Sequence, residues 1–172
     1  MNTAKTFINE VISIKYNDWE EPISGMVIDY NEDWTLLAKN PNDYMHDGYI
    51  IVNHQNLDGY KKDEMEELVE KVFKMKGIDK NLPTLSLDDV ETILNHLSKE
   101  YQLFSIQLAT QEDSCYVGIV RSISNGQLAL QSIDIDGRWD EDEELINLKE
   151  IRAIEFDTDY LQSLSMLNKS LK

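Results

Sequence analysis

The sequence predicts a mainly β fold of the α+β class: two tandem five-stranded β-barrels with linking helices and a C-terminal helix. Three observations support this prediction. A glycine-containing strand pattern occurs twice, at residues 24–30 and 117–123, and Gly118 follows Gly25 by 93 positions. Short apolar runs bounded by turn residues surround each copy. Amphipathic stripes with the helical period lie between the two copies.

Five strands are predicted in the first half. Within residues 6–16, the side chains of Ile12, Ile14 and Tyr16 recur at every second position, which is typical of a strand. A short helix is also expected at residues 3–10. Polar turns then separate four further runs of β-forming residues, at residues 25–30, 34–38, 49–53 and 57–60.

A helix follows these strands. Asp63, with Glu66 three residues later, has the pattern of an N-terminal cap, and Gly77 is a typical C-terminal stop. The apolar stripe between them consists of Met65, Leu68, Val69, Val72 and Phe73. The connector at residues 77–84 contains Gly, Asn and Pro. It is the predicted boundary between two domains, which span residues 1–78 and 79–172.

The second half repeats the strand pattern between two more helices. Ser86 and Thr158 are the predicted N-caps of these helices. Glu112 and Asp113 are expected to form a turn between the first two strands. The predicted strands of this half are residues 103–108, 116–122, 127–135, 144–148 and 151–156.

Barrel closure is expected because five short strands cannot bury two faces as a flat sheet. Closure also removes the exposed strand edges. Gly25 and Gly118 fit a tight bend in the second strand of each copy, where a side chain would obstruct the curvature. The Asn125-Gly126 pair is the sequence of a two-residue hairpin turn.

The second and third strands of each copy resemble the Sm/Hfq-like family of small, strongly bent SH3-like barrels. The matching positions of the first copy are Gly25, Val27, Tyr30, Asn31, Thr35, Leu36 and Ala38. Those of the second are Gly118, Val120, Ile123, Ser124, Gln127, Leu128 and Leu130. The segments around Trp34 and Tyr49 also resemble small uncharacterised bacterial proteins. This second resemblance implies no activity.

The resemblance implies the scaffold of the family and not its RNA site. In the family, the Asp and Asn of one motif and the Arg of another help to form the RNA pocket. The residues at these places are Asn31, Thr35 and Asn53 in the first copy, and Ser124, Gln127 and Asn147 in the second. Because the Arg is missing from both copies, the departures argue against RNA binding.

The net charge favours basic partners. The chain has 16 Lys and Arg residues against 33 Asp and Glu residues, a formal net charge of −17. Such a field repels phosphate backbones and anionic lipid and attracts cationic surfaces. The sequence therefore predicts a protein partner and argues against nucleic acid and membrane.

One acidic run stands out as a candidate partner site. It consists of Asp140, Glu141, Asp142, Glu143 and Glu144. It is expected to be a solvated loop between strands, or else a docking surface for a basic partner. Trp139 beside it is a candidate aromatic anchor. Trp34 and Tyr49 are expected either to pack in a barrel or to form an aromatic recognition face.

The sequence contains no recognisable catalytic, cofactor or metal motif. A calcium loop starting at Asp134 fails because its fifth and sixth positions are Arg138 and Trp139. His46, His54 and His96 lack ligand spacing. The single Cys115 excludes an internal disulfide and is expected to be a buried structural thiol. We therefore expect no enzymatic activity, cofactor or bound metal.

These observations predict a non-enzymatic, acidic protein-interaction module. One concrete form is an immunity or antitoxin-like protein that masks a cationic toxin surface. The alternative is a divergent Sm-like RNA-associated protein. The N-terminal residues have no signal-peptide pattern and no apolar run approaches the length of a membrane span, so a cytoplasmic location is expected.

Overall fold

The computed structural model of the chain describes residues 7–171. Of the helix predicted at residues 3–10, Ile8 and Asn9 instead form a turn, and residues 3–6 lie outside the described range. The described chain has ten antiparallel strands and three α-helices, which confirms the α+β class. It divides into two compact units between Thr84 and Leu85.

The first unit contains five strands and one helix, with strand order β5-β1-β2-β3-β4. The predicted strands are confirmed to within two residues at most boundaries. The first strand is the exception, since it begins at Val11 instead of residue 6. The elements are β1 (Val11–Tyr16), β2 (Ile23–Tyr30), β3 (Trp34–Lys39), β4 (Tyr49–Asn53), β5 (Leu57–Lys61) and α1 (Glu64–Lys76).

Local sequence determines where α1 begins and ends. The Asp63 side chain accepts from the N–H of Met65, and Glu66 accepts from the N–H of Asp63 at 3.0 Å, which completes the capping box. Gly77 ends the helix in the left-handed conformation at φ 73°. Val69 and Phe73 of α1 pack against the core residues Val11, Met26 and Ala38 of the sheet.

The second unit repeats the strand arrangement, with order β10-β6-β7-β8-β9. Its α3 helix packs Leu161 and Leu164 against Leu103, Ile133 and the neighbouring strands. The elements are α2 (Val90–Glu100), β6 (Phe104–Leu108), β7 (Gln111–Ser124), β8 (Gln127–Ile133), β9 (Trp139–Asn147), a 3-10 turn (Leu148–Glu150), β10 (Ile151–Phe156) and α3 (Asp159–Ser170).

Strands β7 and β9 of this unit begin five residues earlier than predicted, and the predictions for one helix cap and one turn are wrong. The N-cap of α2 is Asp89, whose carboxylate accepts from the N–H of Thr92 at 2.7 Å, and not Ser86. Asp89 caps the helix because it immediately precedes the first helical residue, Val90. Ser86 lies four residues before the helix and cannot serve as its N-cap. The turn expected at Glu112 and Asp113 lies at residues 109–110, since the strand β7 already begins at residue 111.

The predicted hairpin turn and the predicted N-cap of the C-terminal helix are confirmed. Asn125 and Gly126 join β7 to β8 with φ values of 53° and 74°, as a hairpin with two left-handed residues requires. The Thr158 hydroxyl accepts from the N–H of Leu161 and caps α3.

The closed barrels are not confirmed. In each unit the first and last strands of the order do not pair with each other within residues 7–171, so the sheet is not closed. Closure is dispensable here because α1 and α3 cover apolar sheet faces in their own units. The expectation overlooked that a helix can bury the face that a closed barrel would bury.

The repeated glycines mark equivalent close approaches of backbone. Gly25 pairs with Lys39, and Gly118 pairs with Ser132. A Cβ atom on Gly25 would lie 2.4 Å from the carbonyl oxygen of Ala38, and one on Gly118 would lie 2.1 Å from that of Gln131. In both β2 and β7 the register shifts a few residues further along, which indicates a β-bulge in each.

Candidate functional site

The acidic run belongs to strand β9 and is not the loop that the sequence suggested. Glu143 pairs with Gln131 of β8, and Glu144 pairs with Leu130. Asp and Glu have low strand propensity, but pairing with the neighbouring strand β8 outweighs that preference. We call residues 140–144 the acidic strand.

A tight turn holds β8 and β9 together. The N–H of Asp134 donates to the carbonyl oxygen of Arg138 at 2.8 Å, and Gly137 adopts a φ of 81°. Arg138 also forms an ion pair with Asp136 at 3.0 Å. Asp136 and Gly137 therefore form a turn, and this turn fixes where the acidic strand begins.

The acidic strand is open to solvent on both faces. From Glu141 to Leu145 every side chain is exposed, and burial resumes only at Ile146. A strand that covers a core normally alternates between buried and exposed side chains. This part of β9 therefore lies beyond the core, and its carboxylates project from both sides of the sheet.

The ladder is irregular beside the acidic strand. Between the pairs Gln131–Glu143 and Ile133–Trp139, β8 advances by two residues and β9 by four. The Gln131 side chain donates to the carbonyl oxygen of Asp140 at 3.1 Å within this irregular part. Among the described strands β9 pairs only with β8, so one backbone edge of the acidic strand faces no other strand.

The surroundings of Asp140 disfavour the charged form of its carboxyl. Partial burial raises the pKa of its carboxyl, and the neighbouring carboxylates of Asp134, Asp136 and Asp142 raise it further. The folded chain thus holds this carboxylate in surroundings that oppose its ionisation. A cation placed among these groups would relieve the repulsion.

We expect Asp140→Asn to raise the midpoint of thermal unfolding at neutral pH and low salt. A raised carboxyl pKa means that the folded state binds the proton more tightly than the unfolded state. Stability therefore falls as the pH rises from the unfolded pKa of about 3.9 through the folded value. Melting curves between pH 3 and pH 7 should show a higher unfolding midpoint for the variant than for the parent at pH 7, and a smaller difference at pH 3. Equal gains at both values would contradict the electrostatic explanation.

The aromatic residues chosen from sequence take packing positions. Trp34 is 5% exposed and lies in the core of the first unit. Tyr49 is partly buried against the cluster that contains Phe73. Trp139 is partly buried against Ile133 and the α3 leucines. The interpretation of Trp34 as part of a recognition face is therefore wrong, because its side chain offers no surface to a partner.

The positions that would read RNA in an Sm protein have structural roles in the first unit. The Asn31 carboxamide accepts from the N–H of Asp33 and from that of Trp34, at 2.9 and 2.7 Å. Thr35 is buried, and its hydroxyl lies 2.8 Å from Nε2 of His54. In the second unit Asn147 accepts from the N–H of Lys149 at 3.0 Å.

His54 belongs to the same polar cluster and was not recognised from sequence. Its Nδ1 lies 2.8 Å from the carbonyl oxygen of Glu32, which can only accept, so the proton is assigned to Nδ1. Nε2 then accepts from the Thr35 hydroxyl. Burial lowers the pKa of His54, although the Glu32 hydrogen bond and Asp33 oppose this shift. The neutral ring suits its structural role.

Two apolar side chains near the acidic strand are exposed, which the sequence did not predict. Ile135 in the β8–β9 turn is 80% exposed, and Leu145 at the end of the acidic strand is 67% exposed. Cys115 is likewise exposed and not buried as expected, because it lies in the early part of β7, where most side chains face solvent. Apolar pattern alone did not distinguish these sites from core positions.

Comparison with known proteins found no matching family model, curated protein or solved structure. The duplicated Sm-like barrel accordingly stays a prediction. Within residues 7–171 no group of three or more His, Cys, Asp or Glu side chains is placed to hold a metal ion. None of the helices in this range has the length and hydropathy needed to cross a bilayer.

Proposed function

We propose that the chain is a non-enzymatic interaction module whose acidic strand receives a basic segment of a protein partner. The observation that carries the proposal is the consecutive exposed carboxylates on a strand with an open edge. An immunity or antitoxin-like protein that masks a cationic surface is one concrete form of this function.

Charge and backbone contribute separately to the proposed interaction. The open edge of β9 offers unpaired main-chain groups, to which an extended segment can add as another strand. The carboxylates prevent two copies from pairing edge to edge, because like charges would then face each other. A segment with Lys or Arg at alternate positions meets no such repulsion and relieves the crowding around Asp140.

Exposed apolar groups extend the proposed contact beyond electrostatics. Leu145 continues the acidic strand, and Ile135 lies in the turn that precedes it. Interfaces commonly combine an apolar centre with a charged rim. A basic segment that also contains aliphatic residues therefore fits this surface better than a purely cationic chain does.

The test uses a defined peptide in which Lys alternates with Val and Thr. Binding should slow hydrogen exchange of β9 amides and weaken as salt rises from about 50 to 500 mM. A peptide with Glu in place of Lys tests the role of charge. A peptide with Pro at alternate positions keeps the charge but cannot add as a strand.

A matched pair of variants locates the contact. The first carries Glu141→Gln, Asp142→Asn, Glu143→Gln and Glu144→Gln. The second removes equal charge at the exposed residues Glu32, Asp58, Glu67 and Glu100. Only the first should lose peptide binding, and equal losses would show that net charge alone is responsible. Retention of pooled RNA at the same low salt would favour the divergent Sm-like alternative.

A further inference from the structure

A cleft of about 260 Å³ lies in the first unit. All of its lining residues fall between Val11 and Val69, so none belongs to the acidic strand. Strands β1 and β2 form one wall, helix α1 forms another, and the loop at residues 40–43 forms a third. Ser13, Ser24 and Glu66 contribute polar groups to its lining. The cleft is close to the lower end of the volumes found for small-molecule sites, about 300 Å³.

The hydrogen bonds among these three residues all run in one direction. The Ser13 hydroxyl donates to Oε1 of Glu66 at 2.6 Å. Ser13 has only one hydroxyl proton, so its 2.7 Å contact with Ser24 requires Ser24 to donate. Both hydroxyl protons are therefore used within the chain. What remains available toward the cleft from these groups is lone pairs on oxygen.

Helix capping does not account for this arrangement. The capping bond to the N–H of Asp63 uses Oε2 of Glu66, whereas the Ser13 hydroxyl donates to Oε1. Glu66 is only 7% exposed. Nζ of Lys61 forms a long ion pair with Oε1 of Glu66 at 3.8 Å and a short one with Asp63 at 2.7 Å, so it does not donate a hydrogen bond to Glu66. A buried carboxylate thus keeps capacity for another donor.

We propose that this cleft binds the ammonium group of a small primary amine. The ammonium donates to Glu66 and Ser24, which offer acceptors and no spare hydroxyl proton. The alkyl stem lies against the apolar side chains of Val11, Met65 and Val69, which also line the cleft. This proposal is independent of the proposed function, since the residues involved belong to different units.

The test is a titration of the full chain with pentylamine, followed through backbone amide signals in NMR spectra. The signals of Ser13, Ser24 and Glu66 should shift and saturate. The neutral analogue 1-pentanol and the anion pentanoate should not produce this response at equal concentration. A lysine-containing tripeptide tests whether a partner's side chain supplies the same ammonium group as a free amine does.

The decisive variant is Glu66→Gln, because Gln also completes a capping box and the fold should persist. It should weaken pentylamine binding by roughly tenfold or more, as expected for loss of a charged acceptor. Glu67→Gln makes the same change at an exposed position of α1 and should leave binding unaltered. Unchanged affinity in Glu66→Gln would overturn the proposal. So would pentanol binding as tightly as pentylamine, or pentylamine shifts confined to the acidic strand.

Discussion

We expect Gly25→Ala and Gly118→Ala each to lower the free energy of unfolding by about 3 kcal/mol. The added Cβ would lie 2.4 Å from the Ala38 carbonyl oxygen in the first case and 2.1 Å from that of Gln131 in the second. Both obstacles are backbone atoms in a paired strand, so neither can move aside without breaking the ladder. Urea denaturation of the two variants measures the loss.

Gly59→Ala is the matched control. Gly59 lies in β5, where an added Cβ meets no atom within 4 Å. Because alanine restricts the unfolded chain and suits a strand better than glycine, this variant should be equal to the parent or more stable by up to about 1 kcal/mol. If all three variants unfold at the same urea concentration, close packing at the repeated glycines is not what requires them.

The repeat explains why so much of the fold was predictable. Alternation and turn residues are local signals, and they located the strands from β2 to β5 to within two residues. Gly25 and Gly118, which are 93 positions apart, meet the same backbone requirement in the two units. At each position a Cβ atom would clash with a carbonyl oxygen of the neighbouring strand. Capping is equally local, and it predicted Asp63 and Thr158 correctly.

The acidic strand shows where local signals are insufficient. Five consecutive acidic residues have the composition of a loop, but all five belong to β9, and Glu143 and Glu144 pair with Gln131 and Leu130 of β8. Pairing across a hairpin depends on where the turn closes, which no property of residues 140–144 encodes. The candidate residues were therefore predictable from the sequence, whereas their strand conformation was not.

The polar contacts of the first unit were unpredictable for a different reason. Ser13 and Glu66 are 53 positions apart, and Thr35 and His54 are 19 positions apart. No periodicity links such pairs, because they meet only after strands and helix have packed. The same applies to barrel closure, since the helices that cover the sheet faces pack through tertiary contacts.

We expect Trp139→Ala to lower the free energy of unfolding by about 2–3 kcal/mol, which is less than for a fully buried aromatic residue. Trp139 lies opposite Ile133 and packs against the cluster that includes Leu161 and Leu164. Removing the indole leaves a space beneath α3 that these leucines can only partly fill. Urea denaturation should show the loss, and Trp139→Phe should recover most of it.

Leu145→Ala distinguishes this packing role from an anchoring role. Leu145 is 67% exposed, so its removal should change the free energy of unfolding by no more than about 0.5 kcal/mol. Its contribution should appear instead in the affinity for the Lys-containing peptide. A Trp139→Ala variant that retains full stability but loses peptide binding would make the tryptophan the anchor. If Trp139→Ala loses stability but still binds the peptide, the indole belongs to the core. Contact with a partner is then left to Leu145 and the acidic strand.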